Sequence, residues 1–204
     1  MHFFTIITQQ SDSLLRIEAG ELNVPTGKIV ACDPFNNPER AVFTRSIPAG
    51  KYPVHLYLKK GENTMALAWL QVSQETPVTW EMAVLHDQEI ADLKEGYYYG
   101  YSVDAGIGCF MDALCADFLC AAQSMIAEKM GDDFISYYDN VVAPQIAENQ
   151  DIYLNHFSAD DSELNVIMFS SGWGEGVFAS YWGLDAAGNV ACLVTDFNIL
   201  KEGE

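Results

Sequence analysis

The residues of this chain best suited to chemistry are carboxylates placed beside glycines and tryptophans. In YSVDAGIGCFMDA (101–113), Asp104 precedes Gly106 and Gly108, and Asp112 follows on an otherwise apolar run. Glycine permits positive φ and close approach of backbone to a ligand. A carboxylate among apolar residues has to be hydrogen-bonded, charge-paired, metal-bound or protonated. In SSGWGEGVFASYWG (170–183), Glu175 sits between glycines, with Trp173 and Trp182 as flat walls. Such rings serve sugars, planar ligands and cations alike. In VTDF (194–197), alternation puts Asp196 on the face of Cys192 and Val194. Asp104, Asp112, Trp173, Glu175, Trp182 and Asp196 together make the candidate pocket. Each has a structural alternative: a helix cap at Asp104, a glycine hairpin at Glu175, a buried anchor at Asp196. Asp33, before Pro34, fits an Asx turn.

Other chemistries find less support. His2, His55, His86 and His156 show neither HxxxH nor HxH spacing, so zinc is not indicated. Neither GxxxxGK[ST] nor GxGxxG occurs, and GxSxG is absent. Cys109 would fall in a first helical turn, where a thiolate is favoured, but no base is set beside it. Catalysis by this chain would therefore rest on carboxylates, with or without Mg²⁺ or Ca²⁺. Hard cations need three or more converging oxygen ligands, and convergence is a property of the fold. No catalytic residue, metal ligand or cofactor is assigned.

The elements that must position these residues change along the chain. KIVAC (28–32), AVFTRSI (41–47), KYPVHLYLKK (51–60), MALAWLQVS (65–73) and TPVTWEMAVL (76–85) read as strands. Tyr52, Val54, Leu56 and Leu58 share one face of the third, with Lys51, His55 and Lys59 on the other. Tyr97, Tyr99 and Tyr101 alternate in a further strand. A long helix is expected over 109–130, stopped by Gly131, and a second over 133–150 with Asp132 or Asp133 as N-cap and a kink at Pro144. Strands return at 165–171, 177–183 and 190–199. This predicts an α+β fold: a predominantly antiparallel β core, one sheet or a two-layer sandwich, with a helical pair inserted at about 105–150. A single domain over 1–204 is expected.

Composition narrows the function class. The chain has 204 residues, half of them hydrophobic, and a net charge of −19. Residues 1–81 carry seven basic and eight acidic groups, whereas residues 82–204 carry three and 21, a net of −18. Nucleic-acid binding relies on Lys and Arg displacing counterions, and docking to anionic lipid needs the same charge; neither is expected. The five cysteines are odd in number, lack CxxC spacing and sit among apolar residues, as buried thiols in a reducing cytosol do. No secretory leader or spanning segment is read, so a cytoplasmic protein is expected.

GKIVACDP (27–34), IPAGKYPVHL (47–56), YSVDAGIGCFMDA (101–113), SGWGEGVFASYWG (171–183) and LVTDF (193–197) taken in order resemble the bacterial family called domain of unknown function 4241. The resemblance implies a shared fold and shared Asp and Gly positions, and it implies no activity. Family members typically carry Gly-Asp-Gly after the Trp-Gly pair. Here Glu175 is one methylene longer, which favours a structural or loosely coordinating role there. Some relatives look like components of bacterial toxin–immunity neighbourhoods.

Two functional readings stand. The first is a non-catalytic binding protein, for instance of immunity type, that covers a basic partner drawn in by the acidic surface. The second is a carboxylate-based hydrolase or small-ligand-binding protein at the two glycine loops. A plain structural protein is the remaining alternative. Convergence of the four acids in one cleft would favour the second reading, and their separate engagement by backbone N–H groups would count against it.

Overall fold

The computed structural model describes residues 13–39, 41–157 and 163–200. The N-terminal apolar run, His2, Arg40, Asp160 and Asp161 lie outside the described residues. The architecture is α+β, with mostly antiparallel sheets. Strands are β1 (Leu14–Val24), β2 (Ile29–Cys32), β3 (Gly50–Lys59), β4 (Thr64–Gln71), β5 (Thr79–Met82), β6 (Tyr101–Val103), β7 (Ile107–Asp112), β8 (Tyr153–Phe157), β9 (Asn165–Ser170), β10 (Gly176–Leu184) and β11 (Val190–Asp196). One sheet runs β1-β3-β4-β11-β10-β5, with β6 also paired to β10. The other runs β2-β7-β9-β8. Helix α1 (Cys115–Met130) covers the second sheet.

The layers follow from which side chains are apolar. In β2, β7 and β9 the runs IVAC, IGCFMD and NVIMF are buried without alternation. Ile29, Ala31, Phe110, Ile167 and Phe169 pack toward Leu56, Leu70 and Trp182 of the larger sheet. Val30, Cys32, Cys109, Met111 and Met168 pack toward Cys115 and Leu119 of α1. The four-stranded sheet is thus the middle layer, covered on both faces. A strand covered on both faces loses its period of two and reads like buried helix. That explains the first departure from the sequence reading: residues 109–112 belong to β7, and the helix begins only at Cys115.

The second expected helix is broken. Single turns at Gly131–Asp133 and Tyr138–Val142 lead to a short α2 (Ala143–Ile146) and a last turn at Ala147–Asn149. Ser136, not Asp132 or Asp133, starts the main piece. Its Oγ accepts from Asp139 N at 2.9 Å and donates to Asp139 Oδ2 at 2.6 Å, a reciprocal cap. Pro144 lies in the first turn of α2, directly after the helical turn at Tyr138–Val142.

Other segments also differ from expectation. Residues 41–47 form no strand but lace the sheets together: Phe43 N donates to Ile29 O, Thr44 N to Val84 O and Ile47 N to Gly27 O. Only Tyr101–Val103 of the tyrosine run pairs. β1 was not expected, because a bulge between Glu18 and Gly20 breaks its alternation.

Candidate functional site

Asp33 is where the site is built. It is fully buried, and its carboxylate accepts five hydrogen bonds. Oδ1 takes Phe35 N at 2.9 Å and Asn36 N at 3.2 Å, the Asx turn expected before Pro34. Oδ2 takes Asn36 Nδ2 at 3.2 Å and, from 71 and 72 residues away, Asp104 N and Ala105 N at 2.9 Å each. The acid thereby ties the loop after β2 to the β6–β7 turn. All five donors are N–H groups, so this buried carboxylate is hydrogen-bonded throughout with no cationic partner among the described residues.

The β6–β7 turn lies beside the β9–β10 turn. Ser171 N donates to Gly106 O at 3.1 Å, and a methyl built on Gly106 would meet Gly174 Cα at 3.8 Å. Ser171 Oγ closes the second turn on Gly174 O at 2.7 Å. Gly106 and Gly174 have φ of 72° and 109°, so both turns use the backbone freedom of glycine. Asp104, Trp173 and Glu175 are exposed at this edge. Asp104 does not cap a helix, because the chain after Gly106 enters β7.

Of the remaining candidates Asp112 lies apart from that edge, whereas Asp196 precedes Phe197, whose carbonyl packs against Gly172 of the β9–β10 turn. Asp112 ends β7, five residues beyond Ile107, or about 17 Å along an extended chain. It is fully buried, with Oδ2 accepting from Thr26 N and Thr26 Oγ1 and Oδ1 from Leu114 N. Asp196 ends β11 on the outer face of the large sheet, opposite Ala179 and Leu67. Burial pushes its carboxyl up from the ordinary carboxylate range, while a hydrogen bond from Asn198 N to Oδ1 at 2.9 Å opposes that. Trp182 is 2% exposed in the core, edge-on to Phe43 at 6.0 Å, and is not a wall facing Trp173. The six candidates therefore do not line one pocket.

Asp104 does border a cleft, of about 470 Å³, between the Asp33 loop and the broken helical segment. Phe35, Phe134, Tyr137 and Tyr138 wall it, with Asn36, Gln123 and Ser136 as polar lining. Phe35 and Tyr138 meet edge-on at 5.4 Å. Of the lining residues Asp104 alone carries a charge, and its only side-chain partner among the described residues is Asn36 Nδ2 at 3.4 Å. The four aromatic residues were not singled out from sequence, because they come from segments a hundred residues apart. Tyr137 is fixed from behind: its hydroxyl bonds His156 Nε2 at 2.8 Å. Burial lowers the His156 pKa.

Among the described residues no three His, Cys, Asp or Glu side chains are grouped to hold a metal ion. No helix among them is long and apolar enough to cross a membrane. All five cysteines are free. Cys32 and Cys109 face each other across β2 and β7 with sulfurs 3.6 Å apart, and burial pushes the Cys109 thiol up.

Neither the curated proteins nor the solved structures contain a match to this chain. A family model described as "Protein of unknown function (DUF4241)" matches residues 22–195, a span that takes in Asp33, both glycine turns and β11 as far as Thr195. The chain belongs to that family.

Proposed function

We propose that the protein is a non-catalytic binding protein, of the immunity type, that takes a basic protein partner at its helical layer. A cationic side chain of that partner sits in the cleft beside Asp104. The observation that carries this reading is the cleft itself, four aromatic rings and one carboxylate with no base among its lining residues. An ammonium or guanidinium is attracted to ring faces and is neutralised by the carboxylate. The surroundings fit the same partner. Between residues 115 and 151, Asp117, Glu128, Asp132, Asp133, Asp139, Glu148 and Asp151 are all exposed, against Lys129 alone. None of the seven is in an ion pair among the described residues. Ile135 and Met125, 76% and 68% exposed, give the layer apolar contact area. A hydrolytic site at the glycine loops has less support, because Asp112 stands at the far end of β7 with both oxygens engaged by N–H and hydroxyl donors and Trp182 is buried in the core.

The test is affinity capture from lysate of the source organism at low and high salt, with three baits. The wild-type bait is expected to retain a basic protein at low salt and lose it at high salt. A bait carrying Asp104→Asn should retain about tenfold less, and one carrying Asp117→Lys, Glu128→Lys, Asp132→Lys and Asp133→Lys none. Absence of a basic partner, or equal retention by all three baits, overturns the proposal.

A further inference from the structure

The cleft beside Asp104 is one-sided in its hydrogen-bonding groups: most of its donors are spent inside the protein, and its acceptors are not. The backbone N–H groups of Phe35, Asn36, Asp104 and Ala105 all donate to Asp33. Those of Ile135 and Ser136 donate to Asn140 Oδ1 at 2.8 and 3.2 Å, and that of Phe134 to Gly131 O at 3.1 Å. The Ser136 hydroxyl is taken up by Asp139 and the Tyr137 hydroxyl by His156.

The two side-chain amides are turned the same way. Asn36 Nδ2 faces Asp33 Oδ2 at 3.2 Å and Asp104 Oδ2 at 3.4 Å, so two carboxylate oxygens fix which end of the amide is nitrogen. Gln123 Nε2 donates to Pro34 O at 3.3 Å. Each amide is left with its oxygen. Asn36 Oδ1, Gln123 Oε1 and Asp104 Oδ1 have no partner among the described residues. All three residues line the cleft, and solvent reaches them: Asn36 and Asp104 are exposed and Gln123 is half-buried. The Tyr138 hydroxyl, which can give or take, is the remaining polar side-chain group.

Such a lining fits a ligand that brings donors, positive charge and a flat face. The charge around it agrees in sign: Asp104 is in the lining, and Asp132, Asp133 and Asp139 flank its helical side with Lys129 the one base nearby in sequence. A quaternary ammonium brings charge and no N–H. A lysine ammonium brings three N–H groups on a compact, strongly hydrated head. A guanidinium has five N–H groups in one plane, no acceptor, weaker hydration and a face that stacks on aromatic rings. Three free acceptors and the half-buried rings of Phe35, Phe134 and Tyr138 match that plane.

We propose that the cleft is an arginine site, which takes a guanidinium in preference to an ammonium. Asp104 is the counter-ion, and Asn36 Oδ1 and Gln123 Oε1 accept from the remaining N–H groups. The assignment rests on the cation-binding reading of this cleft and adds the side chain that the partner must present.

The test titrates the full-length protein with the Nα-acetyl N-methylamides of arginine, lysine and citrulline at constant ionic strength, read by ¹H–¹⁵N spectra. Citrulline keeps the length and most of the N–H groups of arginine and lacks its charge. The arginine probe should shift the amide signals of Asn36, Asp104, Ala105 and Ser136 in a saturable way. It should bind about fivefold or more tighter than the lysine probe, with citrulline weaker still. Asp104 is exposed and its carboxylate meets only Asn36, so Asp104→Asn should fold, confirmed by an otherwise unchanged spectrum, and should weaken arginine binding by about tenfold. Equal affinity for arginine and lysine overturns the arginine assignment and leaves the basic-partner reading in place. Saturable, selective arginine binding with no basic protein captured from lysate supports the site and overturns only the partner reading. No saturable shift with arginine, equal binding of citrulline, or full affinity in Asp104→Asn overturns the site itself.

Discussion

At Asp33 one side chain holds two loops that are distant in sequence. Asp33→Ala removes the acceptor for five donors, four of them backbone N–H groups. The expected loss is about 2–4 kcal/mol, measured by urea unfolding, with Asp33→Asn falling between because its NH₂ faces donors. A loss under about 0.5 kcal/mol would show that these turns hold without it. An Asx turn was evident from Asp33-Pro34, but the reach to Asp104 and Ala105 was not. Sequence spacing reveals a carboxylate's local partners, and its distant ones depend on which turn the sheet brings alongside. The same separation divides the candidate residues. Asp104 borders a cleft, whereas Asp112, equally conspicuous in sequence, is a buried anchor for Thr26 and Leu114.

Among the elements, the strands with one wet face were the readable ones. β3 alternates through Val54, Leu56 and Leu58, and its extent agrees closely with expectation. β7 could not be told from the start of a helix, because Ile107 to Asp112 are all buried. The Asx loop, the glycine turns and the crossing segment 41–47 show how much of the fold is held between elements rather than within them. Gly27 tests that junction. Its φ is 72°, and a Cβ there would stand only 2.1 Å from Ile47 O, whose own N–H bonds Gly27 O at 2.9 Å. Gly27→Ala should therefore cost about 2–4 kcal/mol from backbone strain and overpacking together, measured by thermal or urea unfolding. A glycine at an open turn offers the control: Gly61→Ala meets no atom within 4 Å and should lose only about 1 kcal/mol, from its positive φ. Equal losses at the two positions would remove the steric argument.

For the whole molecule, charge and burial act on stability in opposite regions of pH. His55 and His156 are buried, and burial lowers the pKa of each. The unfolded chain then binds more protons than the folded one, so stability is full above about pH 6.5 and is lost as pH falls. Asp196 has the reverse sign: its carboxyl is raised, so it weakens the fold at neutral pH and this is relieved in acid. The melting temperature is expected to drop between about pH 7.5 and about pH 5.5, within the range where histidine titrates. His156→Gln should flatten part of that slope, since glutamine can still accept from Tyr137 and does not titrate. An unchanged slope would remove His156 from the explanation.

Composition, alternation and five short motifs were enough to determine the α+β class, the family and the concentration of acid in the last 123 residues. These are properties of residue type and near-neighbour order, which survive without knowledge of contacts. Only the tertiary structure decided which carboxylates are engaged and which are free. Asp33 and Asp112 lie inside, saturated by donors, while Asp104 stands open beside four rings. It also decided that Arg16, His55 and Trp69, unremarked as a group in sequence, share one cleft. The reason is physical: burial and hydrogen-bond saturation are set by partners from other strands. Strand order in a sheet, unlike the period of a single strand, is not written in any local stretch of the chain.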